Sequence, residues 1–249
     1  MSGPTTSIRR VPPTLHAVSS TNAQLGRVTH LLPTGGEHRP GQVEMANRVQ
    51  ATIASGESAF VEAGTGTGKS LAYLVPVVES GRRAIVATAT IALQGQLCDS
   101  DIPLVGKGLD RTVKAAILKG RNNYVCLQRL DELTRAERSE QLQLLRGTNP
   151  GQLVGALAEW AEHTATGDRE EIDPQPPADI WQAISVGADE CPGAGRCPAG
   201  DRCFSEAARQ RAAEADVVIT NHHYYGLDVQ ADGVLLGDHD VVVFDEAHH

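Results

Sequence analysis

Apolar positions along the chain alternate between helical and strand-like spacing. From residue 42 to residue 53, Val43, Ala46, Val49 and Ile53 recur at three- and four-residue steps, the spacing that gives a helix one buried face. Residues 58–63 then predict a short strand, preceded by Gly56. Residues 68–78 predict a buried helix ending near Gly81, with Pro76 expected to kink or end it locally because proline lacks the amide proton a helix needs. A β-branched strand follows at 84–88. A helix over 91–97 has Thr90 in position to cap it through its hydroxyl, and 113–118 is a further strand. Strand, helix, strand, helix, strand is the rhythm of a parallel sheet covered on both faces, so the fold class is α/β.

That rhythm breaks off and later resumes. Residues 127–145 and 151–160 predict helices, 173–178 a Pro-rich acidic linker, and 189–204 a loop of Gly, Pro and Cys. After them come a helix over 205–215 and strands over 217–220 and 241–244. The division this implies is a flexible lead-in at 1–36, a sheet-forming part at 37–118, a mainly helical insertion at 119–205, and the second sheet-forming part at 206–249. The lead-in mixes Pro, Ser, Thr and Gly around one weakly apolar stretch with room for a short helix, and is expected to lie outside the core.

A length of 249 residues is ample for a buried core, and 41% hydrophobic residues exclude a chain that is disordered throughout. No apolar run approaches the about 20 residues of a membrane helix, and no apolar segment follows the first arginines as a secretory signal requires. The expected compartment is the cytoplasm, where five cysteines are thiols or metal ligands in preference to bridges. The net charge of −9 argues at first against a nucleic-acid partner. Its distribution changes that: the last 34 residues carry seven Asp or Glu and no Lys or Arg, and the rest is close to neutral.

Residues 63–70 read A-G-T-G-T-G-K-S between a predicted strand and a predicted helix, the context of a Walker A phosphate loop. Gly64, Gly66 and Gly68, with Thr65 and Thr67 between them, let the backbone turn its amides inward toward phosphate, and the helix start adds its positive end. Lys69 supplies charge to the β- and γ-phosphates, and the Ser70 hydroxyl a ligand for Mg²⁺. Ala63 stands where the strict pattern has its first glycine.

At the other end of the chain, Val241, Val242, Val243 and Phe244 form a strand that delivers Asp245 and Glu246 to its carboxyl end. In an open α/β sheet the ligand crevice lies there, beside the phosphate loop. Asp245 is expected to hold Mg²⁺, through water, and Glu246 to polarise the water that attacks the γ-phosphate of ATP.

Cys126, Cys191, Cys197 and Cys203 lie in or at the edge of the insertion, the last three spaced C-x5-C-x5-C. Tight C-x2–4-C pairs, the usual zinc chelates, are absent. The open spacing favours a [4Fe-4S] cube over zinc, with free structural thiols as the third reading. Cys98 stands apart as a small buried hydrophobe.

Taken in order, E-A-G-T-G-T-G-K-S at 62–70, A-T-A-T at 87–90, the four-cysteine insertion, V-I-T-N-H-H at 218–223 and D-E-A-H at 245–248 resemble the iron–sulfur superfamily 2 DNA helicases of the DinG/XPD group, from about residue 37 onward. The resemblance implies a RecA-like P-loop lobe interrupted by an iron–sulfur insertion. It implies ATP-driven 5′-to-3′ translocation on single-stranded DNA, unwinding of DNA junctions in repair, and a [4Fe-4S] cluster on Cys126, Cys191, Cys197 and Cys203. R-P-G-Q at 39–42 resembles the adenine-reading element, with Arg39 and Gln42 beside the base. Thr88 and Thr90 would lie near the DNA backbone. Lys119, Arg121 and Arg129 are candidate DNA contacts at the insertion, with a solvated charged face as the alternative. Asn221 is a candidate helix cap, and His222 and His223 are packing or surface residues.

The family's motor needs a second RecA-like lobe with an arginine finger, and the sequence stops at His249. The expectation is therefore a monomeric fragment or truncated product that binds nucleotide weakly, carries the cluster and turns over little ATP. A non-hydrolysing nucleotide- or DNA-binding iron–sulfur module is the alternative. A P-loop kinase or transferase is a third reading, against which the D-E-A-H ending speaks.

Overall fold

The structure, a computed structural model, describes residues 15–33, 35–37, 39–64, 66–137 and 150–248. They form two compact units, one made of the chain up to Ile117 together with Ala215 onward, the other of Leu118–Glu214.

The first unit is built on four parallel strands in the order β2-β3-β1-β4: β1 (Ala84–Thr88), β2 (Ala115–Ile117), β3 (Val217–Asn221) and β4 (Val241–Phe244). Ala84 pairs with Val217 on one side and Val241 on the other, and Ala87 with Thr220 and Phe244. Level parallel registers bring the carboxyl ends of β1, β3 and β4 to one edge. The residues that follow them, Ala89, His222 and Asp245, are therefore neighbours. Ala84, Ile85, Val86 and Ala87 are fully buried, as a central parallel strand requires.

Helices α1 (Leu15–His30), α2 (Pro40–Ser55), α3 (Lys69–Ser80), α4 (Ile91–Gln96) and α5 (Ile102–Leu109) belong to the same unit. Every residue of α3 from Leu71 to Val78 is buried, so this helix is apolar all round and forms the centre of the core. It does not end at Pro76 but continues to Ser80; the apolar surface that this helix buries outweighs the one missing hydrogen bond. Gly81 ends it in the left-handed conformation, φ 64°, with its amide on the Val78 carbonyl.

Three further expectations change. Residues 58–63 form no strand: Phe60 is fully exposed, and the segment pairs with none of the four described strands. The lead-in is core in its helical part. Leu25 and Val28 of α1 are buried, and the hydroxyls of Ser20 and Thr21 each donate at 2.8 Å to the Glu79 carboxylate of α3. Gly108 lets α5 approach α1 so closely that a β-carbon there would lie 2.9 Å from the Val28 Cα. The helix begun at Ile91 does not stop at 97. It passes through a π-helical turn, Leu97–Asp101, into α5, with Pro103 directly after that turn, where the regular hydrogen-bond ladder is already interrupted.

In the second unit, α6 (Leu127–Glu137), α7 (Pro150–His163) and α8 (Ala178–Ile184) enclose a smaller core of Val125, Leu130, Val154, Leu157, Ile180, Trp181 and Ile184. The Trp181 indole N–H donates to the Asn122 carbonyl at 2.8 Å. Helix α9 (Phe204–Ala213) also belongs here, so the inserted unit runs past the expected boundary at 205. Residues 138–149, where the first inserted helix was expected to continue, lie outside the described residues. Helix α10 (His222–Gln230) returns to the first unit. Among the described residues no helix is long and apolar enough to cross a membrane.

Candidate nucleotide site and cysteine cavity

The phosphate loop enters α3 as the sequence pattern requires. Gly66 and Gly68 take φ of 74° and 79°, left-handed values at which a side chain is strained. The Thr67 hydroxyl donates to the Gly64 carbonyl at 2.9 Å, closing the loop on itself. Arg39 donates to the Gly66 carbonyl, and the Gln42 amide to the Gly68 carbonyl at 2.9 Å. Gln42 is buried, and a β-carbon on Gly68 would lie 2.2 Å from its Nε2. The two residues expected beside the adenine thus also hold the phosphate loop from α2 and its entrance. Thr65 lies outside the described residues.

Lys69 and Glu246, far apart in sequence, meet as an ion pair at 3.2 Å, and Lys69 also donates to the Ala63 carbonyl at 3.4 Å. His248 approaches the other Glu246 oxygen at 3.4 Å. Glu246 has φ 57°, a conformation costing an L-residue roughly 1–2 kcal/mol, while its amide donates to its neighbour's Asp245 Oδ1 at 3.0 Å. Asp245 is 7% exposed and accepts the Tyr73 hydroxyl at 2.9 Å on Oδ2. Burial, and then the Asp245 charge, raise the Tyr73 hydroxyl well above the ordinary phenol range, so it remains a donor. Ser70 lies close to Tyr73 and to Asp101 of the π-helical turn and favours the charged form of each. Burial raises the Asp101 carboxyl; the bond from Gln96, at 3.2 Å, and the nearby Ser70 oppose this, and the Asp245 charge adds to it.

Asn221 caps α10, its side chain accepting the Tyr224 amide at 2.7 Å, and Thr90 caps α4 through the Leu93 amide at 3.3 Å. Thr90 is exposed and open to a phosphate. Thr88 is fully buried, and its hydroxyl finds no partner among the described residues, so the expected DNA contact there is corrected to an inward-facing strand residue. His222 is more than surface packing, since its Nε2 lies 2.9 Å from the Asp245 carbonyl and 3.2 Å from the Ala87 carbonyl. Sequence reasoning missed Tyr73 and Asp101. The available signals were a tyrosine one helical turn after Ser70 and an acidic residue where a polar break interrupts an apolar pattern.

In the second unit Cys126, Cys191, Cys197 and Cys203 line one cavity of about 430 Å³. Cys126 directly precedes α6 and Cys203 directly precedes α9, so two helix starts bring their positive ends to it. Burial pushes the Cys126 thiol up, amides of Arg129 and Gln128 pull it down, and the charges of Cys197 and Cys203 push it up again. Cys197 and Cys203 therefore each lie within electrostatic reach of Cys126. Among the described residues no group of three His, Cys, Asp or Glu is gathered tightly enough for a single metal ion. The three candidate DNA contacts of the insertion differ in exposure. Lys119 is buried in an ion pair with Asp168 at 2.6 Å, Arg121 pairs with Glu206 at 3.2 Å while 12% exposed, and only Arg129, 45% exposed beside Glu190, faces solvent.

A parallel α/β sheet with a glycine-rich loop before α3 and an acidic pair after β4 defines a nucleotide-binding lobe. The family model of the DEAD/DEAH box helicases matches residues 40–167, just over half of the chain, and the chain belongs to that family. It is 43% identical over 229 residues to the ATP-dependent helicase DinG of Mycobacterium tuberculosis, covering 86% of this chain and 34% of the relative. It is 37% identical over 231 residues to the ATP-dependent DNA helicase YoaA of Escherichia coli, covering 90% and 35%. To the 3′-5′ exonuclease DinG of Bacillus subtilis it is 31% identical over 227 residues, covering 89% and 23%. The chain spans about a third or less of the length of these relatives.

Proposed function

We propose that the chain is the ATP-binding RecA-like lobe of an ATP-dependent DNA helicase of the DinG type, interrupted by an iron–sulfur insertion. One observation carries the reading: Lys69 and Glu246 come together at 3.2 Å at the carboxyl edge of the sheet, beside an open phosphate loop. The loop amides and the start of α3 bind the phosphates. Lys69 leaves Glu246 for the β- and γ-oxygens, which releases the Glu246 carboxylate to accept a proton from the attacking water. Mg²⁺, when bound, neutralises the charge of the β- and γ-phosphates. Ser70 and Asp245 are the residues that would hold it, and Arg39 and Gln42 edge the loop where adenine is read. Single-stranded DNA is the proposed partner, approached from the exposed Thr90 hydroxyl.

Four half-buried thiols around one cavity, too spread for a single ion, with two helix starts beside them, suit an anionic [4Fe-4S] cluster held by Cys126, Cys191, Cys197 and Cys203. Such a cluster would supply a covalent brace between the chain segments that carry the four thiols.

The test is ATP hydrolysis with and without single-stranded DNA, on these residues alone and on these residues continued by a second RecA-like lobe. Binding with little turnover in the first form and DNA-stimulated turnover in the second is expected. ATP binding that DNA never converts into hydrolysis in either form favours the non-hydrolysing module.

A further inference from the structure

Asp245 is held at every polar atom it has. Its amide donates to the Ala87 carbonyl at 2.8 Å, its carbonyl accepts His222 Nε2, its Oδ1 accepts the Glu246 amide, and its Oδ2 accepts the Tyr73 hydroxyl. The first and third of these follow from the strand and the turn. The other two come from side chains 23 and 172 residues away, and neither is needed for its own element to form. Position 73 requires an aromatic ring that fills the core at 2% exposure, which Phe would satisfy, and the first residue of α10 is already capped by Asn221.

The bond from His222 has a defined sense. Both of its partners, Ala87 O and Asp245 O, are carbonyl oxygens that only accept, so Nε2 carries the proton and one N–H is shared between two strand ends. That N–H sits where β4 passes into the turn that forces Glu246 to φ 57°. A conformation of that kind persists only where its surroundings hold it. On the side-chain side, Asp245 offers two oxygens; the Glu246 amide and the Tyr73 hydroxyl take one lone pair of each and fix the plane of the carboxylate.

We propose that His222 and Tyr73 are positioning residues of the metal–nucleotide site, His222 holding the main chain of the Asp245–Glu246 turn and Tyr73 the Asp245 carboxylate. This rests on the assignment of Asp245 to Mg²⁺ made above. Neither side chain touches nucleotide; they act through Asp245 and through the turn that carries Glu246. Outer partners of this kind typically change metal affinity by about 10–100-fold when removed.

The experiment is titration of a fluorescent ATP analogue into the whole chain, in Mg²⁺ and in EDTA, with thermal melting alongside. The variants are Asp245→Asn, Tyr73→Phe, His222→Leu and His222→Gln. In Tyr73→Phe and His222→Leu the tightening that Mg²⁺ gives should fall about tenfold while the EDTA affinity holds. His222→Gln, whose amide N–H reaches near the Nε2 position, should regain most of it. Should His222→Leu melt too early to titrate, Tyr73→Phe decides, since it keeps the buried ring. Loss of the tightening in Asp245→Asn but not in Tyr73→Phe or His222→Leu overturns the positioning roles alone. Full tightening in Asp245→Asn overturns the metal assignment and these roles with it.

Discussion

In the sheet unit, a strand of fully buried residues, Ala84 to Ala87, lies beside an all-buried helix from Leu71 to Val78, and the site residues hang from their ends. In the cysteine unit, short helices close around eight buried apolar residues, and the four thiols that define the site are each only half buried. The first site is positioned by backbone: strand registers, a phosphate loop and a left-handed turn. The second is carried by helix starts, short turns and loops, which the cluster proposed above would tie together. The difference teaches where stability and function are coupled. In the proposed reading, nucleotide chemistry borrows a rigid frame, whereas the cysteine unit would be completed by its cluster.

The largest effect expected from this contrast comes from Cys197→Ser with Cys203→Ser. Binding energy at a structural metal site is folding energy, about 10 kcal/mol or more where it has been measured for zinc. Limited proteolysis with iron analysis should show loss of iron and of broad visible absorbance, and rapid cleavage within 118–214. The sheet unit should remain resistant, and the affinity for an ATP analogue should change less than about twofold.

Next in size are truncations in the two cores. Trp181→Ala should destabilise the cysteine unit by about 3–5 kcal/mol, and Leu74→Ala the sheet unit by about 2–5 kcal/mol. Hydrogen exchange resolved by segment checks this. Protection falling mainly in the mutated unit sharpens the comparison, and an equal fall in both breaks it.

Smaller still is Asn221→Ala, which removes the cap of α10 and should cost about 1 kcal/mol in chemical denaturation without changing the denaturant slope. The smallest effect concerns Cys98, in the π-helical turn. Burial and then the Asp99 charge hold its thiol above the ordinary range, so its thiolate fraction at neutral pH is low. Alkylation of Cys98, followed by mass spectrometry, should be slower than that of a free cysteine peptide at pH 7. It should rise with pH to a midpoint above the peptide's, and Asp99→Asn should lower that midpoint.

Much of the sheet unit is legible in the sequence because its elements repeat simple periods. Strands β1 and β4 begin and end where the apolar runs do, and the phosphate loop and acidic pair announce themselves by residue type. What was not legible depends on partners. Residues 58–63 have a strand's composition but pair with no described strand, α1 hides its stripe of Thr21, Leu25 and Val28 among serines and threonines, and α3 continues through Pro76 within the core. Lys119 looked like a free cation because Asp168, its partner, is 49 residues away. Tyr73 belongs to no motif and His222 sits in V-I-T-N-H-H with no role read from it; their importance comes from which atoms of Asp245 they reach.

The central claim is that Lys69, Asp245 and Glu246 form an Mg²⁺-dependent ATP site carried by the sheet unit alone. Equilibrium titration of a fluorescent ATP analogue against the wild-type chain, Lys69→Ala and the cysteine double variant tests it most directly. The account predicts a loss of about 10-fold or more in affinity for Lys69→Ala, in keeping with a charged hydrogen bond worth about 1.5–3 kcal/mol, and near wild-type affinity for the cysteine variant. Equal affinity of Lys69→Ala and wild type, or a cysteine variant as weak as Lys69→Ala, would contradict it.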